Sequence, residues 1–140
     1  MSLKNFKVLA LLLSLVIGAT LAGGCAGTAT QKFTDITPQA AFALIQENRN
    51  NPDFVIIDVR TPEEFAGGHI EGATNINFYA DTFRDTLNGL DRNKTYLVYC
   101  AVGGRSGSAL DIMAELNFRE AYNMLGGINQ WRGEGLPTVE

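Results

Sequence analysis

Cys100 ends the strand-like run "TYLVY" (95–99) and is followed by Ala101, Val102, Gly103, Gly104, Arg105 and Ser106. These residue types in this order can do nucleophilic chemistry on an anion. Glycine permits positive φ, so Gly103 and Gly104 let the backbone after the thiol curl with its N–H groups pointing inward. A helix predicted from Ser106 adds the positive end of its dipole at the same place. Arg105 brings a fixed charge with several donors. Such a cradle favours thiolate over thiol, and the thiolate is the reactive form. The competing reading makes Cys100 one more small hydrophobe closing a buried strand. A purely structural strand end has no need of an arginine at that position, which favours the activated nucleophile.

The elements that must position this loop can be read along the chain. "KFTDI" (32–36) is a short strand, and Thr37 is an N-cap with Pro38 at the first helical position; Ala41, Leu44 and Ile45 then give helical spacing. "FVIIDV" (54–59) is the unbroken apolar, β-branched run of a strand buried on both faces. Thr61, Pro62 and Glu64 open a short helix with a Thr–x–x–Glu capping box. "ATNIN" (73–77) is a weak strand, 82–87 a short helix, and 95–99 a second buried strand. From Ser106 the residues Ala109, Ile112, Met113 and Leu116 share one helical face, and Asn117 can take the left-handed conformation that ends it. "EAYNML" (120–125) is the last strand and 128–132 the last helix. Strand and helix alternate throughout, which predicts an α/β fold with a parallel sheet. In such a sheet ligands bind beyond the carboxyl ends of the strands, where Cys100 stands.

The chain of 140 residues is long enough for one domain, and its first 24 residues need not belong to it. Lys4 and Lys7 precede an apolar run from Val8 to Leu21, and small residues then lead to Cys25. That is the layout of a secretory signal. A transmembrane anchor competes, but fourteen residues span too little hydrocarbon. The sequence divides into a signal peptide (1–24), a lipid-attachment cysteine with a flexible tether (25–31) and a domain (32–140). "LAGGC" resembles the lipobox of bacterial lipoproteins, with Ala22 where leucine is usual, so Cys25 is the expected lipidation site. Ordinary cleavage near Ala22 to a soluble periplasmic protein is the alternative. Export places the domain in the cell envelope, held to a membrane and facing the periplasm.

Loss of Lys4 and Lys7 from the 11 basic residues leaves nine against 15 acidic ones, a formal charge of −6. No basic cluster survives, so nucleic acid is not an expected partner. With Cys25 lipidated, Cys100 is the only thiol and no intramolecular disulfide can form. One histidine and one available cysteine are too few for a metal site, and no cofactor motif is present.

Three motifs in order are similar to the signatures of single-domain rhodaneses, sulfurtransferases that carry sulfur as a cysteine persulfide. "DVRTPEEFAGGHIEGATNI" (58–76) resembles the family's N-terminal signature, "CAVGGRS" (100–106) its active-site loop and "LGGINQWRGEGLP" (125–137) its C-terminal signature. The resemblance spans about residues 33–137. It implies a five-stranded parallel sheet flanked by helices on both faces. It also implies a persulfide on Cys100, formed by a small sulfur-containing anion or persulfide donor and passed to a thiol or cyanide. Residues 101–106 would bind the donor through their backbone N–H groups and Arg105. Ala101 and Val102 stand where thiosulfate-using members often carry basic or polar side chains, which implies a less charged donor such as a polysulfide or persulfide.

The remaining conspicuous residues have structural readings. Asp58, Arg60 and Glu64 form an ion-pair network supporting the loop from behind, in preference to an acid–base set. His69 is expected in a turn and Trp131 as a core plug with its indole N–H bonded. Two other functions compete with sulfur transfer. A cysteine-dependent phosphatase or arsenate reductase also places a cysteine before an anion loop ending in arginine, but with five residues between them where this chain has four. A sulfur carrier or partner-docking module would keep Cys100 without turnover.

Overall fold

The computed structural model describes residues 30–140, so the expected signal peptide, Cys25 and most of the tether lie outside the described residues. The elements run β1 (Lys32–Ile36), α1 (Pro38–Glu47), β2 (Phe54–Asp58), α2 (Pro62–Ala66), β3 (Thr74–Asn75), α3 (Phe83–Asn88), β4 (Thr95–Tyr99), α4 (Gly104–Glu115), β5 (Glu120–Met124) and α5 (Gly127–Gly133). The five strands form one sheet in the order β1-β5-β4-β2-β3, with every pairing parallel. The expected fold class is therefore the observed one.

Parallel pairing leaves both sheet faces to be covered, and alternate residues of the central strands point to opposite faces. On one face Ile57, Tyr96, Val98 and Cys100 pack with Phe83 and Leu87 of α3 and with Ala109, Leu110 and Met113 of α4. On the other, Ile56, Leu97, Tyr99 and Met124 pack with Ala41 of α1 and with Ile128 and Trp131 of α5. Trp131 is fully buried and donates its indole N–H to the Pro137 carbonyl (2.9 Å). Among the described residues no helix is long and apolar enough to cross a membrane.

Local chemistry sets several boundaries as the sequence predicts. Thr37 Oγ1 accepts from Ala40 N–H, and Thr61 with Glu64 makes the full capping box. Asn117 carries the left-handed φ of 64° after α4. Other boundaries differ. The expected strand 73–77 keeps a regular ladder only over Thr74–Asn75, an edge segment that pairs with β2 alone. Beyond it the Ile76 and Phe78 N–H groups still donate to the carbonyls of Asp58 and Val59, and Asn75 Nδ2 adds bonds to the carbonyls of Asp58 and Arg60. The helix expected from Ser106 starts two residues earlier, at Gly104. Gly103 supplies the left-handed cap (φ 100°), while Gly104 is already helical and does not use positive φ.

Candidate active site

β4 delivers Cys100 to the carboxyl edge of the sheet, between its neighbours β2 and β5. The left-handed Gly103 then reverses the chain, so that α4 starts directly over the sulfur. Two donors reach Sγ: the Gly103 N–H at 3.1 Å and the Ser106 hydroxyl at 3.4 Å. N–H groups in the first turn of a helix have no intrahelical acceptor, so they are free to serve an anion there. Burial pushes the Cys100 thiol up, and the Ser106 hydroxyl with the backbone N–H groups of Ser106, Val102 and Gly103 outweighs it. The net shift is below the ordinary thiol value. The result is a thiolate-favouring sulfur beneath a helix N-terminus.

The six residues after Cys100 take distinct places. Ser106 is buried against the sulfur, Ala101 is half-buried, and Val102 stands out at the loop apex, 66% exposed. Arg105 does not reach into the cradle unaccompanied. Its Nη1 and Nη2 donate to the two Glu64 carboxylate oxygens at 2.8 Å each, a bidentate pair joining α4 to α2. Its guanidinium also lies 5.5 Å from the ring centre of Tyr79, itself 67% exposed. The Arg105 guanidinium holds the Glu64 carboxyl far down, at about 2, with the Thr61 N–H assisting against partial burial. Glu64 thus faces the loop directly and is the ion-pair partner of its single charge.

Asp58 and Arg60 are brought together with each other but sit one step removed. Arg60 Nε and Nη2 donate to the Asp58 carboxylate at 2.6–3.0 Å, and Nη2 also donates to the Gly68 carbonyl at 2.8 Å. Both side chains are buried. The pair braces the turn between β2 and α2 and the chain at Gly68. Its link to the nucleophile runs through Tyr99, whose ring Arg60 overlies at 5.8 Å. His69 stacks on Phe65 with ring centres 3.7 Å apart, and its backbone pairs with Val139. Where the sequence suggests a turn, His69 is a bridge residue, and its Nδ1 lies 3.1 Å from the Phe65 carbonyl. Among the described residues no group of three or more His, Cys, Asp or Glu could hold a metal ion.

Sequence reasoning did not foresee the role of Gly126 and Gly127. Both have positive φ, 70° and 56°, and they start α5 against the loop. The Ile128 and Asn129 N–H groups donate to the carbonyls of Cys100 (2.9 Å) and Ala101 (3.1 Å). A Cβ on Gly127 would overlap the Ala101 backbone carbon and the Cys100 carbonyl, and would lie 2.5 Å from the Ala101 oxygen. The nucleophile's backbone is therefore clamped from beneath by α5. A double glycine directly before a helical pattern was the available signal.

Comparison with known proteins agrees with this geometry. A model of the rhodanese-like domain matches residues 39–134. The thiosulfate sulfurtransferase GlpE of Pseudomonas entomophila is 33% identical over 101 residues, covering 72% of this chain and 86% of that protein. A rhodanese-related protein from Thermoplasma volcanium has a similar crystal structure, with TM-score 0.62 and 32% identity over 76% of this chain and 97% of that one. The solution structure of the 30 kDa polysulfide-sulfur transferase homodimer from Wolinella succinogenes matches with TM-score 0.62 and 31% identity, over 76% and 78% of the two chains. The chain belongs to the rhodanese-like sulfurtransferase family.

Proposed function

We propose that this protein is a sulfurtransferase of the bacterial cell envelope that carries sulfane sulfur as a persulfide on Cys100. The observation that carries the reading is the pair of donors on Sγ, from Gly103 N–H and Ser106 Oγ–H, at the start of α4. The thiolate attacks the outer sulfur of the donor, a new S–S bond forms, and the donor's own S–S bond breaks. With thiosulfate, sulfite leaves with the bonding electron pair. A thiolate or cyanide acceptor then attacks the terminal sulfur of the persulfide, and Cys100 departs as the thiolate it began as. In the persulfide the negative charge moves from Sγ to the outer sulfur, where the N–H groups at the start of α4 would serve as its donors.

The finer reading concerns the donor. Ala101 and Val102 offer no charge or side-chain hydrogen bond, and Val102 is exposed at the mouth. A dianion entering the loop exchanges its hydration for protein groups, and burying charge without enough partners costs several kcal/mol. A polysulfide keeps its charge on large, weakly hydrated sulfur atoms and an organic persulfide carries a single charge, so each gives up less hydration on entry; a polysulfide-sulfur transferase is among the similar structures. The expected result is a higher kcat/KM for polysulfide than for thiosulfate. Ala101→Arg should shift the ratio towards thiosulfate about ten- to a hundredfold, since one charge-assisted hydrogen bond contributes about 1.5–3 kcal/mol. A wild type that already prefers thiosulfate would defeat the apolar-loop argument.

Export and lipid attachment at Cys25 complete the proposal, resting on the lysine-flanked apolar run and the lipobox-like "LAGGC". Labelling with a fatty-acid analogue, with fractionation of wild type and Cys25→Ala, tests it. An unlabelled, soluble periplasmic wild type would refute lipidation and leave export intact.

A further inference from the structure

Arg105 is the only charged residue between Cys100 and Ser106, and both of its terminal nitrogens are held by Glu64 at 2.8 Å. The Glu64 side chain is fixed twice over, because its Oε2 also accepts from the Thr61 N–H at 2.9 Å. A bidentate Arg–carboxylate pair is planar and pre-organised, so it resists opening for a monodentate competitor. The formal charges around the sulfur are then the thiolate, Glu64 and Arg105, which together are negative by one. Of the two cations that meet at Gly68, Arg60 is itself paired with Asp58 in a buried bridge, and Arg132 is turned to the carbonyls of Gly67 and Gly68. What remains for an incoming donor are neutral N–H groups and the Ser106 hydroxyl, attractive to a sulfur centre but weakly so to a second negative charge.

We propose that Glu64 is a specificity-determining residue that selects sulfur donors by charge, disfavouring dianions by neutralising Arg105 at the mouth of the site. This rests on the sulfurtransferase reading and deepens it, but it is independent of the apolar residues Ala101 and Val102.

Glu64→Gln is the suitable variant. Glutamine has the same shape, and its amide oxygen can still accept from Thr61 N–H, since capping boxes admit either residue. The charge goes, and with it the bond from Arg105 Nη2, because the amide nitrogen that replaces Oε1 is itself a donor. Thiosulfate and the methanethiosulfonate anion form a matched pair of donors, differing by a methyl group in place of one charged oxygen. Each delivers its outer sulfur to the thiolate, with sulfite leaving from the first and methanesulfinate from the second. The rate of Cys100 persulfide formation is followed by mass spectrometry on the full-length protein, wild type and variant.

Because a charge interaction scales with the product of the charges, loss of Glu64 should raise kcat/KM about tenfold for the dianion and about threefold for the monoanion. Added salt screens such repulsion. Raising ionic strength should therefore favour thiosulfate over methanethiosulfonate in the wild type, and do so less in Glu64→Gln. Equal changes for the two donors, or a wild-type thiosulfate rate that falls relative to the monoanion with salt, would overturn the role of Glu64. The wild-type salt comparison needs no variant, so a thiosulfate rate that falls relative to the monoanion overturns the inference even where Glu64→Gln folds poorly, while support comes from the smaller salt effect in the variant. Failure of both donors to load Cys100 in the wild type would instead remove the sulfur-transfer reading, and this inference with it.

Discussion

Gly127→Ala should damage both the fold and the reactivity of Cys100. Gly127 has φ 56°, a left-handed conformation that costs an L-residue on the order of 1–2 kcal/mol. The added Cβ would also overlap the backbone of Ala101 and the carbonyl of Cys100, atoms that cannot step aside without moving the loop. Overpacking of this kind costs about 1–3 kcal/mol. If α5 shifts to relieve it, the bonds from Ile128 and Asn129 N–H to the loop carbonyls weaken, each contributing about 1 kcal/mol. Relief by a shift of α5 exchanges the overpacking cost for the lost bonds, so the total is about 2–5 kcal/mol either way. For a domain of this size that lowers Tm by roughly 8–20 °C. Gly133→Ala is the control, because nothing lies within 4 Å of its Cβ position and alanine favours helix. Thermal unfolding by circular dichroism gives the first readout, and the rate of Cys100 alkylation by iodoacetamide below the transition gives the second. A Gly127→Ala protein with wild-type Tm and wild-type alkylation would show that α5 does not clamp the loop.

Asp58→Ala should be among the most destabilising single changes, because it leaves the buried Arg60 guanidinium with only the Gly68 carbonyl. Loss of one partner of a buried pair costs about 3–5 kcal/mol, measurable by urea unfolding, and a loss under about 1 kcal/mol would contradict the buried-pair description. The alkylation rate of Cys100 against pH should reach half its plateau below the ordinary thiol value, and Ser106→Ala should move that midpoint up. An unchanged midpoint in Ser106→Ala would remove the hydroxyl from the account. Glu64 is held near 2 in the folded protein against an ordinary 4.5, so its pairing contributes stability above about pH 4.5 that is lost as pH falls towards 2. The acid limb of the stability curve should therefore be shallower in Glu64→Gln, and an identical limb would refute the coupling.

What the sequence made legible was local. Thr37 and Thr61 cap their helices through residues three positions away, and β4 ends at Tyr99, directly before Cys100, as the apolar run 95–99 predicts. The features that escaped depend on contacts between distant parts of the chain. Glu64 and Arg105 are separated by 41 residues, so the sequence showed a free loop charge where the fold has a neutralised one. Gly127 meets Cys100 and Ala101 only because β5 lies beside β4, and a glycine's missing side chain carries no signal of what it makes room for. The expected strand 73–77 is shorter as a ladder for a related reason: at the sheet edge it has one partner, β2, and its residues do not show where that pairing becomes irregular.

The central claim is that Cys100 itself carries the transferred sulfur. Intact-protein mass spectrometry of the purified protein, after separate exposure to polysulfide and thiosulfate, should show one added sulfur atom on the wild type. The adduct should disappear on adding an acceptor thiol, and it should be absent from Cys100→Ser under identical conditions. A wild type that never gains the sulfur, or a serine variant that gains it and turns over normally, would contradict the account.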